Sequence, residues 1–275
     1  IYGVSIAAIS MLATVGITIS IDTYCPIIND AKVIAKMSDY NPEAHEIIEH
    51  LHKLGQNTLL MRKDLAISSA FMTAIVVFMA FAISANISPI SFYEPYLIFG
   101  LIIGVCFPTL LSSLSVNSIN RISTKILEEA KKQFKEYQVL DKNADSVSTD
   151  SKAVITVSAL AVIRAIVVPV ICLITIPLLI YSMFGKEALA GMCLGTFITG
   201  TILSLFIVNT AEVWSSANNF FQSDKLVVKD YDESLDTSLF LSNSVGNYLK
   251  DSSGLLMSLL IKFIAIYALI LSFSF

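Results

Sequence analysis

The chain has 275 residues, of which 55% are hydrophobic and 15% charged, and its mean hydropathy is +0.73. A water-soluble fold cannot hide that much apolar surface, so the composition excludes an ordinary soluble domain and favours a bilayer as the solvent. The net charge of −4 is small, no basic run indicates a nucleic-acid partner, and the four cysteines lack metal or redox spacing.

Six apolar segments are long enough to cross a bilayer, because a spanning helix needs about 20 residues at 1.5 Å each. Backbone groups in hydrocarbon must pair within their own segment, so we predict an all-α, polytopic transmembrane helix bundle that forms one membrane domain over residues 1–275. Ile1 already lies in an apolar stretch, and we therefore expect a partial chain. The predicted spans are 1–21, 65–84, 96–116, 155–183, 188–208 and 255–275.

Basic residues predict the orientation of these spans. Fifteen of the 18 Lys and Arg residues lie in three long segments, 22–64, 117–154 and 209–254, whereas the alternate connections hold only Lys186. The positive-inside rule places the three long segments in the cytoplasm and the C-terminus on the opposite side. Alternation of six spans gives the same orientation.

The long segments contain helices of their own. Pro42 follows an Asn, which predicts a helix that starts there and continues to Leu54, ahead of Gly55. Residues 117–138 continue the third span as a polar helix. Residues 141–150 are predicted as a loop, and residues 222–238 are acidic and Ser-rich with little pattern.

Polar residues gather where the spans meet the cytoplasm. Asp22 and Asn29 are two helical turns apart, Lys63 precedes the second span, Asn209 follows the fifth, and the pair Lys250 and Asp251 precedes the sixth. Carboxylates and ammonium groups collected from several helix ends suit a phosphate held through Mg²⁺. The alternative is a set of solvated helix ends that mark the membrane interface.

Two cations lie within the predicted spans. Lys262 is the eighth residue of the last span, where an unpaired ammonium costs about 3 kcal/mol or more. It therefore needs a wet cavity or a carboxylate, and a helix absent from this chain is one source of that carboxylate. Arg164 lies nearer the start of a long segment, so we expect it at the membrane interface.

Several motifs resemble those of membrane-bound, ion-pumping inorganic pyrophosphatases. Residues 22–37 read D-T-Y-C-P-I-I-N-D-A-K-V-I-A-K-M, similar to D-x-Y/F-G-P-x-x-D-N-A-G-G-I-A-E-M. Residues 55–70 read G-Q-N-T-L-L-M-R-K-D-L-A-I-S-S-A, similar to G-N-T-T-x-A-x-x-K-G-F-A-I-G-S-A. Further resemblances, in the same order along the chain, lie at residues 107–114, 186–191, 209–218 and 246–262.

The resemblance implies a sixteen-helix fold of which this chain supplies about the last six. It also implies a homodimer, Mg²⁺ as cofactor, and cytoplasmic pyrophosphate hydrolysis coupled to H⁺ or Na⁺ export. The remaining N-terminal helices, or a separate chain that carries them, are then partners of this chain, together with membrane lipids.

The resemblance also implies roles for individual residues. Asp22 is a catalytic carboxylate that binds Mg²⁺ or positions water, with Asp30 and Asp251 as further metal ligands. Lys63 is catalytic and binds pyrophosphate. Asn209, Lys250 and Asp251 complete the substrate site, and Lys262 matches the lysine of the ion gate.

Four positions that carry aspartate in the family are changed here, and they are Asn29, Ser215, Asn243 and Asn247. Each change removes an anionic Mg²⁺ ligand, so we expect a degenerate site that binds the metal poorly. Leu59 stands where the family has Ala or Lys, so the sequence does not assign K⁺ dependence. Besides a pump, a catalytically silent homologue with a binding or structural role and a plain transporter subunit remain open.

Overall fold

The computed structural model describes residues 2–37, 42–87, 93–140, 151–223, 233–249 and 254–274. All regular structure in these ranges is α-helical, which confirms the predicted fold class. The described helices are α1 (Tyr2–Leu12), α2 (Val15–Met37), α3 (Pro42–Ser84), α4 (Pro95–Leu140), α5 (Ser151–Ser223), α6 (Glu233–Leu249) and α7 (Leu255–Ser274).

Five stretches of the described residues are long and apolar enough to cross a membrane, and they overlap the six predicted spans. The difference arises because the fourth stretch, Ser158–Asn218, is 61 residues long and contains two of those spans. Gly185 breaks it with φ 80° and ψ −174°, a backbone conformation essentially restricted to glycine. The chain therefore reverses direction at Gly185, and α5 consists of two antiparallel halves.

The first span is not one continuous helix. α1 ends at Leu12 and α2 begins at Val15, with a turn at residues 13–14 in which Ile17 N–H donates to the Thr14 carbonyl at 3.1 Å. The Thr14 hydroxyl donates to the Met11 carbonyl at 3.0 Å, so a side chain satisfies part of the interrupted backbone. Interrupted spanning helices are tolerated where they line a cavity or are buried in protein.

The predicted helix end at Gly55 is wrong. The helix starts at Pro42 as predicted but continues through Gly55 to Ser84. A glycine inside a helix costs only about 1 kcal/mol, which packing against a neighbour can offset. Here α2 is that neighbour, because the Cys25 thiol donates to the Gly55 carbonyl at 3.2 Å.

Helix α6 was not predicted. It begins at Glu233, inside a segment whose Ser-rich sequence shows little helical pattern. The helix packs on the C-terminal part of α5 at Gly246, where an added Cβ would lie 2.9 Å from the Trp214 ring. Tertiary packing rather than sequence pattern accounts for this element. The polar continuation of the third span, in contrast, is confirmed, since α4 extends to Leu140.

Glycines bring α4 and the second half of α5 into backbone contact. An added Cβ at Gly104 would lie 2.2 Å from the Met192 carbonyl oxygen, and one at Gly195 would lie 2.5 Å from the Leu101 carbonyl oxygen. Gly100 and Gly191 meet the facing backbone in the same way. Each helix thus carries a small-xxx-small pair that faces the other, as in closely packed membrane helices.

Long-range contacts define the two ends of the bundle. At one end, Lys186 Nζ donates to the Ala85 carbonyl at 2.6 Å, and the Ser272 hydroxyl donates to the Ser84 hydroxyl at 3.1 Å. Both short connections and the C-terminus of α7 therefore lie at this end. The core between the ends is built by α3, α4, α5 and α7, with fully buried side chains such as Phe81, Met192, Met257 and Ile261.

Candidate functional site

A cleft of about 500 Å³ opens between the helix interruption in the first span, α3 and α7. Met11, Thr14 and Thr18 line it from the interrupted span, so the break borders a cavity. Its charged lining residues are Asp22, Arg62 and Lys262, contributed by three different helices. Two predicted site residues from opposite ends of the chain, Asp22 and Lys262, thus face the same space.

Asp22 and Arg62 form an ion pair in this cleft. Arg62 Nη1 donates to Asp22 Oδ2 at 2.6 Å, and the side chains are 9% and 44% exposed, respectively. A charge-assisted hydrogen bond of this length is among the stronger polar contacts in proteins. Nε of Arg62 is buried and has no acceptor among the described residues.

Lys262 lies about 10 Å along α7 from Leu255, the first residue of that helix. The sequence predicts that Lys262 needs a cavity or a carboxylate, and the cleft is such a cavity. Asp22 lines the same cleft, yet Lys262 forms no ion pair with any residue that the structure describes. Asp22 is committed to Arg62 instead, which leaves the ammonium to water or to a group from outside the described ranges.

Lys63 is buried, with 7% of its surface exposed, and it lines a small second cavity beside the cleft. Val208 of α5 and Gly254 ahead of α7 line the same cavity, and Ala66 and Ser258 line both cavities. The Ser204 hydroxyl donates to the Gly254 carbonyl at 2.8 Å, which holds the start of α7 against α5. Lys63 therefore lies where three helices converge, next to the cleft that contains Lys262.

The other predicted site residues either line neither cavity or lie outside the described residues. Asn209 directly follows Val208 of the small cavity and is exposed. Asp30 is exposed on α2, eight residues and about 12 Å beyond Asp22. Lys250 and Asp251 lie outside the described residues, so their assignments stay predictions.

The described carboxylates do not by themselves fit a Mg²⁺ site. No group of three or more His, Cys, Asp or Glu side chains in the described ranges is arranged to hold a metal ion. Mg²⁺ bonds to oxygen are only about 2.1 Å long, so Asp22 and Asp30 are too far apart along α2 to share one ion. One oxygen of Asp22 is also engaged by Arg62. A metal site would need ligands from outside these residues.

Sequence reasoning assigned no individual role to Arg62 or Asp64. Both stand beside Lys63, and Asp64 has a buried Oδ1 without a partner among the described residues. A charged triplet at the start of a span is the signal that could have identified them. The sequence does not predict the pairing of Arg62 with Asp22, because the pair forms only when α2 and α3 run antiparallel in one particular register.

Comparison with known proteins connects this geometry to a family. The family model described as inorganic H⁺ pyrophosphatase matches residues 1–271. The chain belongs to that family. It is an integral membrane protein, as its motifs and its apolar helices indicated.

Relatives from several organisms bear pump names. A Clostridium tetani protein, provisionally named a K⁺-stimulated pyrophosphate-energized sodium pump, is 30% identical over 98% of this chain and 40% of its own length. A K⁺-insensitive pyrophosphate-energized proton pump from Chloroflexus aurantiacus is 25% identical over 99% of this chain and 36% of its own length. A K⁺-stimulated sodium pump from Thermotoga maritima is 26% identical, over 98% and 38% respectively. The pyrophosphatase-family chain thus spans about two fifths of the relatives it matches.

Proposed function

We propose that this chain forms the C-terminal part of a pyrophosphate-energized pump that exports H⁺ or Na⁺, with a degenerate hydrolytic site. The observation that carries the proposal is the single cleft shared by Asp22, Arg62 and Lys262, with Lys63 buried beside it. Cations suited to a phosphate anion and the half-buried Lys262, suited to ion transfer, are thus contiguous in one part of the membrane domain.

The anion-binding side of the proposed site is the end that carries Lys63. The buried Lys63 and the neighbouring Arg62 guanidinium offer positive charge to pyrophosphate. We assign Lys250, Asp251 and Asn209 to the same substrate site, because Gly254 and Val208, their near neighbours in sequence, line the cavity beside Lys63. The ordinary roles of Lys63 and Asp22 in such a site are to hold the substrate and to position the attacking water.

The ion-transfer side is Lys262, the proposed gate. A half-buried lysine that shares a cleft with an Asp–Arg pair can exchange partners when charge in the cleft changes. Relatives of both K⁺-stimulated and K⁺-insensitive types match this chain at similar identity. Leu59 is neither the Ala nor the Lys that the family carries at the position linked to K⁺ dependence. The proposal therefore includes no K⁺ requirement. It includes the homodimer, the cytoplasmic site and the cofactor Mg²⁺ that the family resemblance implies.

A catalytically silent homologue is the second candidate. It is favoured by the Asp22–Arg62 pair, which gives a cation to the carboxylate that would otherwise bind metal or water. The neutral residues Asn29, Ser215, Asn243 and Asn247 favour it as well. Both candidates share the fold and the cleft, and they differ in whether pyrophosphate is hydrolysed.

Vesicles that carry the complete protein test the proposal through Mg²⁺-dependent release of phosphate from pyrophosphate. We expect slow hydrolysis, lost in Lys63→Ala and retained in the control Lys131→Ala, which changes an exposed lysine on α4. Restoring Asp at positions 29, 215, 243 and 247 together should raise the rate by about tenfold or more, since each adds an anionic metal ligand. If the wild-type protein binds pyrophosphate without hydrolysing it, the silent homologue is correct. If the restored variant gains neither binding nor hydrolysis, the assigned site is wrong.

A further inference from the structure

A basic pocket lies away from the cleft, between α4 and the first half of α5. Arg121 and Lys125 stand on one side of this pocket of about 180 Å³, and Arg164 stands on the other. All three side chains are exposed, and the remaining lining residues are uncharged. Three cations without a lining carboxylate make the pocket attractive to an anion.

An apolar groove of about 590 Å³ continues from the basic pocket into the bundle. Ser118 and Ile122 line both, so the two spaces are contiguous. The groove runs between Ile119 of α4, Val170 and Leu173 of α5, and Leu260 of α7. Its wall is therefore made by three membrane helices and is mostly apolar.

The groove is long enough to hold part of an acyl chain. Along α4 the groove extends from Ile122 to Leu111, which are eleven residues and about 16 Å apart. About half of that length lies beyond residue 116, where the predicted third span ends, so the groove crosses the predicted membrane interface. The basic pocket stands at the end of the groove where α4 leaves the predicted third span, and Arg164 was expected at the interface on the sequence evidence.

We propose that an anionic phospholipid occupies this site, with its phosphate headgroup between Arg121, Lys125 and Arg164 and an acyl chain in the groove. Basic pockets between membrane helices bind anionic headgroups in this way. A free phosphate would use the cations but leave the contiguous apolar groove without an occupant. An acyl chain in the groove would contact Leu259, which also lines the cleft. Bound lipid would therefore support α7, the helix that carries Lys262.

Titration of the complete protein, purified in detergent, with phosphatidylglycerol and phosphatidylcholine tests the proposal by native mass spectrometry. We expect phosphatidylglycerol to bind the wild type more tightly than phosphatidylcholine. The variant R121Q/K125Q/R164Q should lose at least about tenfold of its phosphatidylglycerol affinity, because each cation near a membrane surface contributes a severalfold factor. The control K53Q/K131Q/K132Q removes three exposed lysines outside the pocket and should keep the affinity.

A second pair of variants tests the groove without changing charge. Val170→Trp narrows it and should weaken phosphatidylglycerol binding, whereas Ile202→Trp, at an exposed position outside the groove, should not. Equal affinity in the pocket variant and its lysine control would overturn the proposal. So would binding that millimolar inorganic phosphate abolishes and Val170→Trp leaves unchanged, because that result identifies a site for a free anion. Neither outcome depends on pyrophosphate hydrolysis.

Discussion

The two partners of the Asp22–Arg62 pair differ in their access to water. The arginine side chain is 9% exposed, whereas the aspartate side chain is 44% exposed. Removing the aspartate leaves a buried guanidinium without its partner. Removing the arginine leaves a carboxylate that water still reaches. The free-energy cost of losing a partner falls on the group that remains buried and charged.

We therefore predict that Asp22→Asn lowers the free energy of unfolding more than Arg62→Gln does, by about 1–3 kcal/mol. The double variant should lie between wild type and Asp22→Asn, because it no longer buries an unpaired charge. Thermal unfolding of the purified protein in detergent measures all three. Glu49→Gln is the matched control: it breaks the pair with Lys32, in which the glutamate is 49% exposed, and should change stability by under about 0.5 kcal/mol. Equal losses for the two single variants would contradict the asymmetry.

At the scale of elements, glycine decides how α4 and α5 pack. Their backbones touch at Gly100, Gly104, Gly191 and Gly195, where an added Cβ would meet main-chain atoms at 2.5 Å or less. Main-chain atoms cannot move aside as a flexible side chain can. The pairing of these helices is consequently specified by van der Waals contact at small residues, together with a hydrogen bond from the Thr196 hydroxyl to the Gly104 carbonyl at 3.3 Å.

Gly104→Leu should separate α4 from α5 and destabilise the protein by about 3 kcal/mol or more, at the upper end of overpacking penalties. Gly16→Leu is the control, since nothing lies within 4 Å of a Cβ added at that position of α2. Thermal unfolding in detergent and protease resistance report the difference. Similar stabilities for the two variants would show that the glycine contact does not hold the helices together.

The whole molecule has two chemically different ends. The short connections lie at the end where Lys186 bonds the Ala85 carbonyl, and the polar parts of α3, α4 and α5 extend from the other. Orientation in the membrane is a separate matter, because the contacts within the bundle are the same either way up. It depends on the basic residues of the long segments through the positive-inside rule.

Labelling with a membrane-impermeant maleimide tests the predicted orientation. In a background without Cys25, Cys106, Cys172 and Cys193, a cysteine at Lys131 should react from the cytoplasmic side, and one at Tyr93 from the opposite side. Both positions are exposed, Tyr93 at 95%, so access is limited by the membrane and not by packing. Reversed labelling in sealed cells would show that the long segments face outward.

The sequence by itself determined the helical class, the apolar spans and the family, because hydropathy and local motifs are properties of contiguous residues. It also singled out Lys63, Asp22 and Lys262. The structure alone decided that Asp22 pairs with Arg62, that Lys262 shares their cleft, and that the helix at Gly55 continues. It alone supplied α6 as well. Each of these depends on groups far apart in the chain, whose distances are set by packing and register and leave no local pattern.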